Sequence, residues 1–410
     1  MQLIKRVNAV PMNCTSLRGA LLLGCLLAAT SVPAMAQIAF HAQSPVVTGP
    51  YPGLIAVADF DGDGNPDVAL TNQDNGRVYI YSGDGTGALG FAISYPVGAL
   101  PYAIVAADFD HDGKLDLAVA NDADGTVSIL LGHGDTTFSP AIAYAVGQEP
   151  VAIAANSFDP DGYTDLVIAN RGNVCTPPLN PCGTVSVLRN YGDGTFYTGT
   201  TLYPGVVPGG IATGVFTAGG DSDIVVTSVD DSEFLVYLGD GGGSFPTVQG
   251  PFTVLSAEAV IAADFNGDGK SDLAISRYDY GDVSLQIGNG DGTFQAAGIY
   301  SEGAIHAYPF ATAVADFDSD GFPDLALANS GDNSVAVLRN RTVGNGGFEA
   351  PLAFAGGPDQ LDSFAVGDFN RDGKPDFVVV NGGAENDYLT VFLNTSIPVD
   401  RIFADGFDLN

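Results

Sequence analysis

Hydrophobic residues along this chain come in short runs closed by turn-forming residues, with no helical periodicity. In one stretch, Ala103-Ile104-Val105-Ala106-Ala107 leads into an acidic turn, and Leu117-Ala118-Val119-Ala120-Asn121 leaves it. After the turn Asp122-Ala123-Asp124-Gly125 comes Thr126-Val127-Ser128-Ile129-Leu130-Leu131. Runs of this length bounded by Gly, Asp, Asn and Ser predict short strands, and their apolar character on both faces predicts burial between neighbours. Each unit begins with an aromatic-led segment: Phe40 to Val47, Phe91 to Val97, Phe138 to Val146, Phe196 to Gly205, Phe245 to Val254, Phe294 to Gly303 and Phe348 to Gly356. A Gly/Asp hairpin closes the unit, as in Gly288-Asn289-Gly290-Asp291-Gly292-Thr293 before Phe294.

The acidic turn carries the candidate chemistry. In Asp316-Phe317-Asp318-Ser319-Asp320-Gly321-Phe322-Pro323-Asp324, carboxylates occupy positions 1, 3, 5 and 9. A hard cation that takes six to eight oxygens is served by such spacing. Glycine at position 6 accepts the sharp turn that would aim the position 7 carbonyl at the same ion. An EF-hand would continue to a bidentate Glu at position 12 and a helix, whereas position 12 here is Leu327, inside the apolar run Leu325-Ala326-Leu327-Ala328-Asn329. The ion would therefore clip a turn between two strands.

Seven copies of this turn recur. Five are intact: Asp59 to Asp67, Asp108 to Asp116, Asp264 to Asp272, Asp316 to Asp324 and Asp368 to Asp376. The third begins at Ser157 but keeps Asp159, Asp161, Gly162 and Asp165, while the fourth, Val215 to Asp223, has lost most of its ligands and is expected to hold no ion. The steps from copy to copy are 49, 49, 58, 49, 52 and 52 residues. Four short antiparallel strands per repeat predict an all-β fold, a seven-bladed β-propeller. The lone segment Phe40 to Val47 is expected to complete the last blade, so that no sheet edge stays open.

The repeats resemble the FG-GAP or VCBS family, found in integrin α-subunit propellers and in many exported bacterial proteins. The likeness runs from about residue 38 to 395 and rests on D-x-[DN]-x-D-G-x-x-D in register. It implies calcium bound by side chains at positions 1, 3, 5 and 9 and by the carbonyl at position 7. That names Asp59, Asp61, Asp63, Asn65 and Asp67 in the first loop and Asp108, Asp110, Asp112, Lys114 and Asp116 in the second. The fifth gives Asp264, Asn266, Asp268, Lys270 and Asp272; the sixth gives Asp316, Asp318, Asp320, Phe322 and Asp324. The seventh gives Asp368, Asn370, Asp372, Lys374 and Asp376, for about five structural calcium sites.

Processing and charge refine this picture. Lys5, Arg6 and Arg18 precede the apolar run Ala20 to Thr30, and Ala34-Met35-Ala36 supplies a small-x-small cleavage pattern. Residues 1–36 are thus expected to be a signal peptide, 37–397 the propeller and 398–410 a tail, with a secreted or periplasmic destination. Leu22-Leu23-Gly24-Cys25 resembles a lipoprotein site, but the apolar run continues past it. No other segment is long and apolar enough for a membrane helix. Cys175 and Cys182 flank an insertion and are expected to pair in an oxidising compartment. The formal charge of -34 excludes nucleic acid and anionic lipid as partners, and 46% hydrophobic residues argue against disorder.

The leading functional expectation is a monomeric binding scaffold for an extracellular protein or glycan. The alternative is a polysaccharide-acting lyase or hydrolase. Against it, His41, His111, His133 and His306 lie in different units, and no HExxH, nucleophile elbow or phosphate loop is present. Tryptophan is absent, and sixteen tyrosines, Tyr278 and Tyr280 among them, could only partly replace it as sugar platforms.

Overall fold

The strand that follows each acidic turn is the most deeply buried part of its repeat. Asp67–Asn72, Asp116–Asn121, Asp165–Asn170, Asp223–Ser228, Asp272–Arg277 and Asp324–Asn329 are buried at every residue. The structure, a computed structural model, describes residues 38–172, 183–228, 230–301, 308–340, 347–357, 360–382 and 387–396, all within one compact unit, Ala36–Asn410. In the second blade that strand pairs on one side with Pro101–Ala107 and on the other with Thr126–Leu130, which pairs in turn with Ile142–Ala145. Six further sheets repeat this antiparallel order. Among the described residues the one helical element is a single 3-10 turn, Tyr278–Tyr280.

The first strands of the seven sheets are Pro52–Ala58, Pro101–Ala107, Pro150–Asn156, Ile211–Gly214, Ala257–Ala263, Pro309–Ala315 and Gln360–Gly367. Each touches its successor, and the last touches the first, which closes a ring around an axis. Closure also uses the chain start: Phe40–Ala42 and Val46–Val47 both pair with Tyr388–Asn394, supplying the seventh sheet's outer strand in two pieces. The expected closure by Phe40 to Val47 is what forms. Because every acidic loop follows the end of a first strand, all seven lie on one rim. Turns between second and third strands lie on the other.

The core is divided. Seven hydrophobic clusters each span two adjacent blades, one for each junction. In the second blade Leu117 and Val119 face the first blade, while Ala118 faces the third. An unbroken apolar run thus still obeys the two-residue period of a strand, with each face serving a different junction. No blade can bury its faces alone, so the ring stands as a unit.

Aromatic pairs lock these junctions. The Phe at loop position 2 of one blade meets the aromatic that leads the outer strand of the next, edge to face: Phe60 with Phe138, Phe109 with Phe196, Phe158 with Phe245, Phe216 with Phe294, Phe265 with Phe348 and Phe317 with Phe40. At the seventh junction Leu89 packs against Phe369's cluster. Phe91, which leads the corresponding segment in the sequence, is fully exposed. Leu89 bridges Gly83 as Phe138 bridges Gly132, so the hairpin register places Leu89 inward and leaves Phe91 outside.

Candidate metal sites

The acidic loops are folded by their own aspartates. In the first loop Asp59 accepts from the Gly62 and Gly64 amides at 2.7 and 2.8 Å, Asp61 from Asp63 at 3.1 Å, and Asp63 from Asn65 at 2.7 Å. The fifth loop repeats the scheme through Asp264, Asn266 and Asp268, the last accepting from the Lys270 amide. In the seventh, Asp368, Asn370 and Asp372 do the same, with Asp372 accepting from Lys374. In the sixth, Asp316 accepts from Gly321 and Asp320 from Phe322. The position 6 glycine stands at φ between 80° and 91° in all seven repeats, where a side chain would be strained.

These turns draw carboxylates together. Asp59, Asp61 and Asp67 each offer an oxygen within 4.8 Å of the others, as do Asp108, Asp110 and Asp116, and Asp316, Asp318 and Asp320. Burial first, and then the neighbouring charges, raises the Asp61 and Asp110 carboxyls above their usual range. Asp108 Oδ1 is buried without a hydrogen-bond partner among the described residues, and a bound cation would satisfy it. The all-oxygen donor set fits a hard divalent ion. The fifth and seventh loops keep the same turns with an amide oxygen at position 3. Three loops add a lysine at position 7: Lys114 Nζ lies 2.7 Å from Asp112, Lys270 lies 3.5 Å from Asp268, and Lys374 lies 3.7 Å from Asp372.

Position 9 has a second task. Asp67, Asp116, Asp165, Asp223, Asp272, Asp324 and Asp376 are wholly buried. In every blade one carboxylate oxygen accepts from the position 2 amide, and the other accepts from the amide of a residue at the end of the third strand or one or two residues past it. Burial pushes these carboxyls up, to about 6 for Asp67, Asp116, Asp165, Asp272 and Asp376 and to about 7 for Asp324, against the two amides that hold them down. Asp223 keeps both bonds in the loop that has lost its other ligands, so the clamp does not depend on an ion.

That second donor explains a further regularity. It is Gly83, Gly132, Gly239 or Gly288 in four blades, where a Cβ would stand 2.1 to 2.3 Å from the position 8 carbonyl. In three blades it is Asn190, Asn340 or Asn394, whose amide donates to that same carbonyl and to the position 2 carbonyl of the preceding blade. Arg371 reaches from the seventh loop to Asn65 Oδ1 at 3.2 Å. Loop and junction are therefore one structure.

The degenerate third loop carries its own cation. Arg189 pairs with Asp159, whose side chain is 5% exposed. The same place on the third strand is Leu131 in the second blade, Leu238 in the fourth and Leu393 in the seventh, and in the sixth it is Arg339, which pairs with Glu349 instead. Nothing in the loop's own sequence signals Arg189, which lies thirty residues on from Asp159 and outside the nine-residue motif.

The sequence model for the FG-GAP-like repeat matches residues 59–119, 109–168, 216–275, 264–327 and 316–379. The chain belongs to the FG-GAP-like repeat family. Curated protein sequences contain no match to it. Among solved structures, BBS1N in complex with ARL6DN, in crystals soaked with lead and with mercury, aligns with a TM-score of 0.59 at 14% identity in both cases. Each alignment covers 88% of this chain and 98% of BBS1N, and at that identity it shows the shared fold. Each FG-GAP-like match starts at or one residue into an acidic loop and ends just past the next, and one of them starts within the degenerate fourth copy. The predicted Cys175–Cys182 bridge, the leader, His306 and the tail lie outside the described residues. No described helix is long and apolar enough to cross a membrane.

Proposed function

We propose that this FG-GAP-like chain is an exported, calcium-stabilised binding scaffold that presents a propeller face to an extracellular protein or glycan. The observation that carries this reading is repetition: the acidic chemistry recurs blade by blade and is built into the junctions. Asp59, Asp61, Asp63 and Asp67, with the Asn65 carbonyl, would hold one ion, and the corresponding residues of the other intact loops would hold the rest. Calcium would supply charge neutralisation among clustered carboxylates. The residues themselves tie each loop to the neighbouring blade through position 2 and the third-strand terminus. A catalytic centre would call for a unique constellation, and a ring of similar sites suits support. BBS1N, a propeller of the same fold, is held in complex with a protein, which favours a role in recognition.

With a dissociation constant of ~0.1 mM and ~1 mM free calcium, each site would add about 1.4 kcal/mol, and five would add about 7 kcal/mol. That is comparable with the stability of a typical domain. Calcium bound per chain, with thermal unfolding in calcium and in chelator, tests the reading. About five ions and a large loss of melting temperature on chelation are expected. No bound ion and no shift would refute it.

A further inference from the structure

The rim opposite the acidic loops opens onto an axial cavity of about 240 Å3, lined by the starting residues of the first strands. Tyr102, Arg171, Glu258 and Phe310 face it. The Arg171 guanidinium and the Glu258 carboxylate approach to 3.6 Å, with side chains 43% and 25% exposed. That is an ion pair beyond hydrogen-bond distance, and among the described residues neither group, nor the Tyr102 hydroxyl, has a hydrogen-bond partner. Donors and acceptors thus converge on one cavity with capacity to spare.

The backbone behind them is fixed. Thr71 Oγ1, on the first blade, donates to the Tyr102 carbonyl at 3.1 Å, and Thr227 Oγ1, on the fourth, donates to the Glu258 carbonyl at 2.5 Å. Both threonines are wholly buried. A Cβ at Gly210 would stand 2.5 Å from the Glu258 carbonyl, so the strands meet there as closely as glycine allows. The charges nearby are one-sided: Asp122, Glu149, Asp230, Asp279 and Asp362 act on Tyr102, Glu258 or one another, and Arg171 is the one cation among them. Such a field rejects anions.

Resting on the scaffold reading above, we infer that this cavity binds a single neutral sugar residue at the end of a glycan. Adjacent hydroxyls on a sugar ring each donate and accept, and so match the Arg171–Glu258 pair, which offers donors beside acceptors. Tyr102 and Phe310 add apolar surface to the lining for the C–H side of the sugar, with Phe310 braced against the core between the sixth and seventh blades. A volume below the ~300 Å3 of drug-sized sites suits one ring rather than a long oligosaccharide.

The test uses the full mature chain with calcium on an array of neutral, sialylated, uronate-bearing and sulfated glycans, followed by titration with the best free glycan. Neutral glycans are expected to bind. Glu258→Gln, which keeps the shape and removes the charge, and Tyr102→Ala should each weaken binding about tenfold or more, with melting temperature and bound calcium unchanged for Glu258→Gln. Preference for anionic glycans, or neutral binding untouched by Glu258→Gln, would overturn the assignment. A chain that ignores every glycan yet binds a purified protein partner refutes the cavity site and leaves the scaffold standing. A chain that binds neither refutes both.

Discussion

Asp223→Asn separates the scaffolding role of position 9 from ion binding. Asp223 is wholly buried and accepts from the Phe216 amide at 2.9 Å and from the Gly239 amide at 2.8 Å. Both partners are donors, and a carboxylate is acceptor-only, whereas an asparagine amide offers one acceptor and one donor. The substitution keeps one bond and turns an N–H toward an N–H at the other. A charge-assisted bond of about 1.5 to 3 kcal/mol is lost, and a buried amide is orphaned at about 1 to 3 kcal/mol. Burial already disfavours the Asp223 carboxylate, so relief of that penalty offsets part of the loss. The net destabilisation should be about 2 to 3 kcal/mol. At about 2.1 cal/mol/K per residue over a ring of about 360 residues, that lowers the melting temperature by about 3 to 4 °C. Circular dichroism melts should show the same drop in calcium and in chelator. Asp320→Asn, at position 5 of an intact loop, keeps the acceptor for the Phe322 amide and should lose stability only in calcium. An Asp223→Asn protein as stable as its parent, or one destabilised only when calcium is present, would refute the clamp.

Phe40→Ala should cost about 3 kcal/mol, because that ring meets Phe317, Phe354 and Phe377 where the chain start closes the last blade; chemical denaturation measures it. Arg189→Leu, which copies the neighbouring blades, should leave Asp159 buried and unpaired at about 3 kcal/mol in chelator, while calcium restores part of the loss and bound calcium rises by one per chain. Burial first, and then Asp387, raises the Asp362 carboxyl to about 6, so the folded chain holds that proton more tightly than the unfolded one. Its contribution therefore falls as pH rises from about 4 to about 6. Asp362→Asn should match the parent near pH 4 and exceed it in melting temperature at pH 8.

Much of the architecture was legible because strands and turns are local. Ala103 to Leu131 spells out three strands and two turns, and the register of seven aspartate loops counts the blades. Phe91 shows where legibility stops: it leads its segment as Phe138 leads the next, but hairpin register, set by the Gly83–Leu89 bridge, turned Leu89 in and left Phe91 out. Side-chain direction alternates with every residue, so a shift that barely changes the sequence pattern reverses what is buried.

The candidate site divides in the same way. Sequence alone determined which residues form each acidic turn, since Asx hydrogen bonds and the glycine at positive φ act within nine residues. Tertiary structure decided what those turns are attached to. It showed position 9 clamping the third strand, Asn190, Asn340 and Asn394 reaching the preceding blade, Arg189 standing beside Asp159, and Tyr102, Arg171 and Glu258 meeting at the axis from three blades. These contacts join residues far apart in the chain, and only closure of the ring fixes their distances.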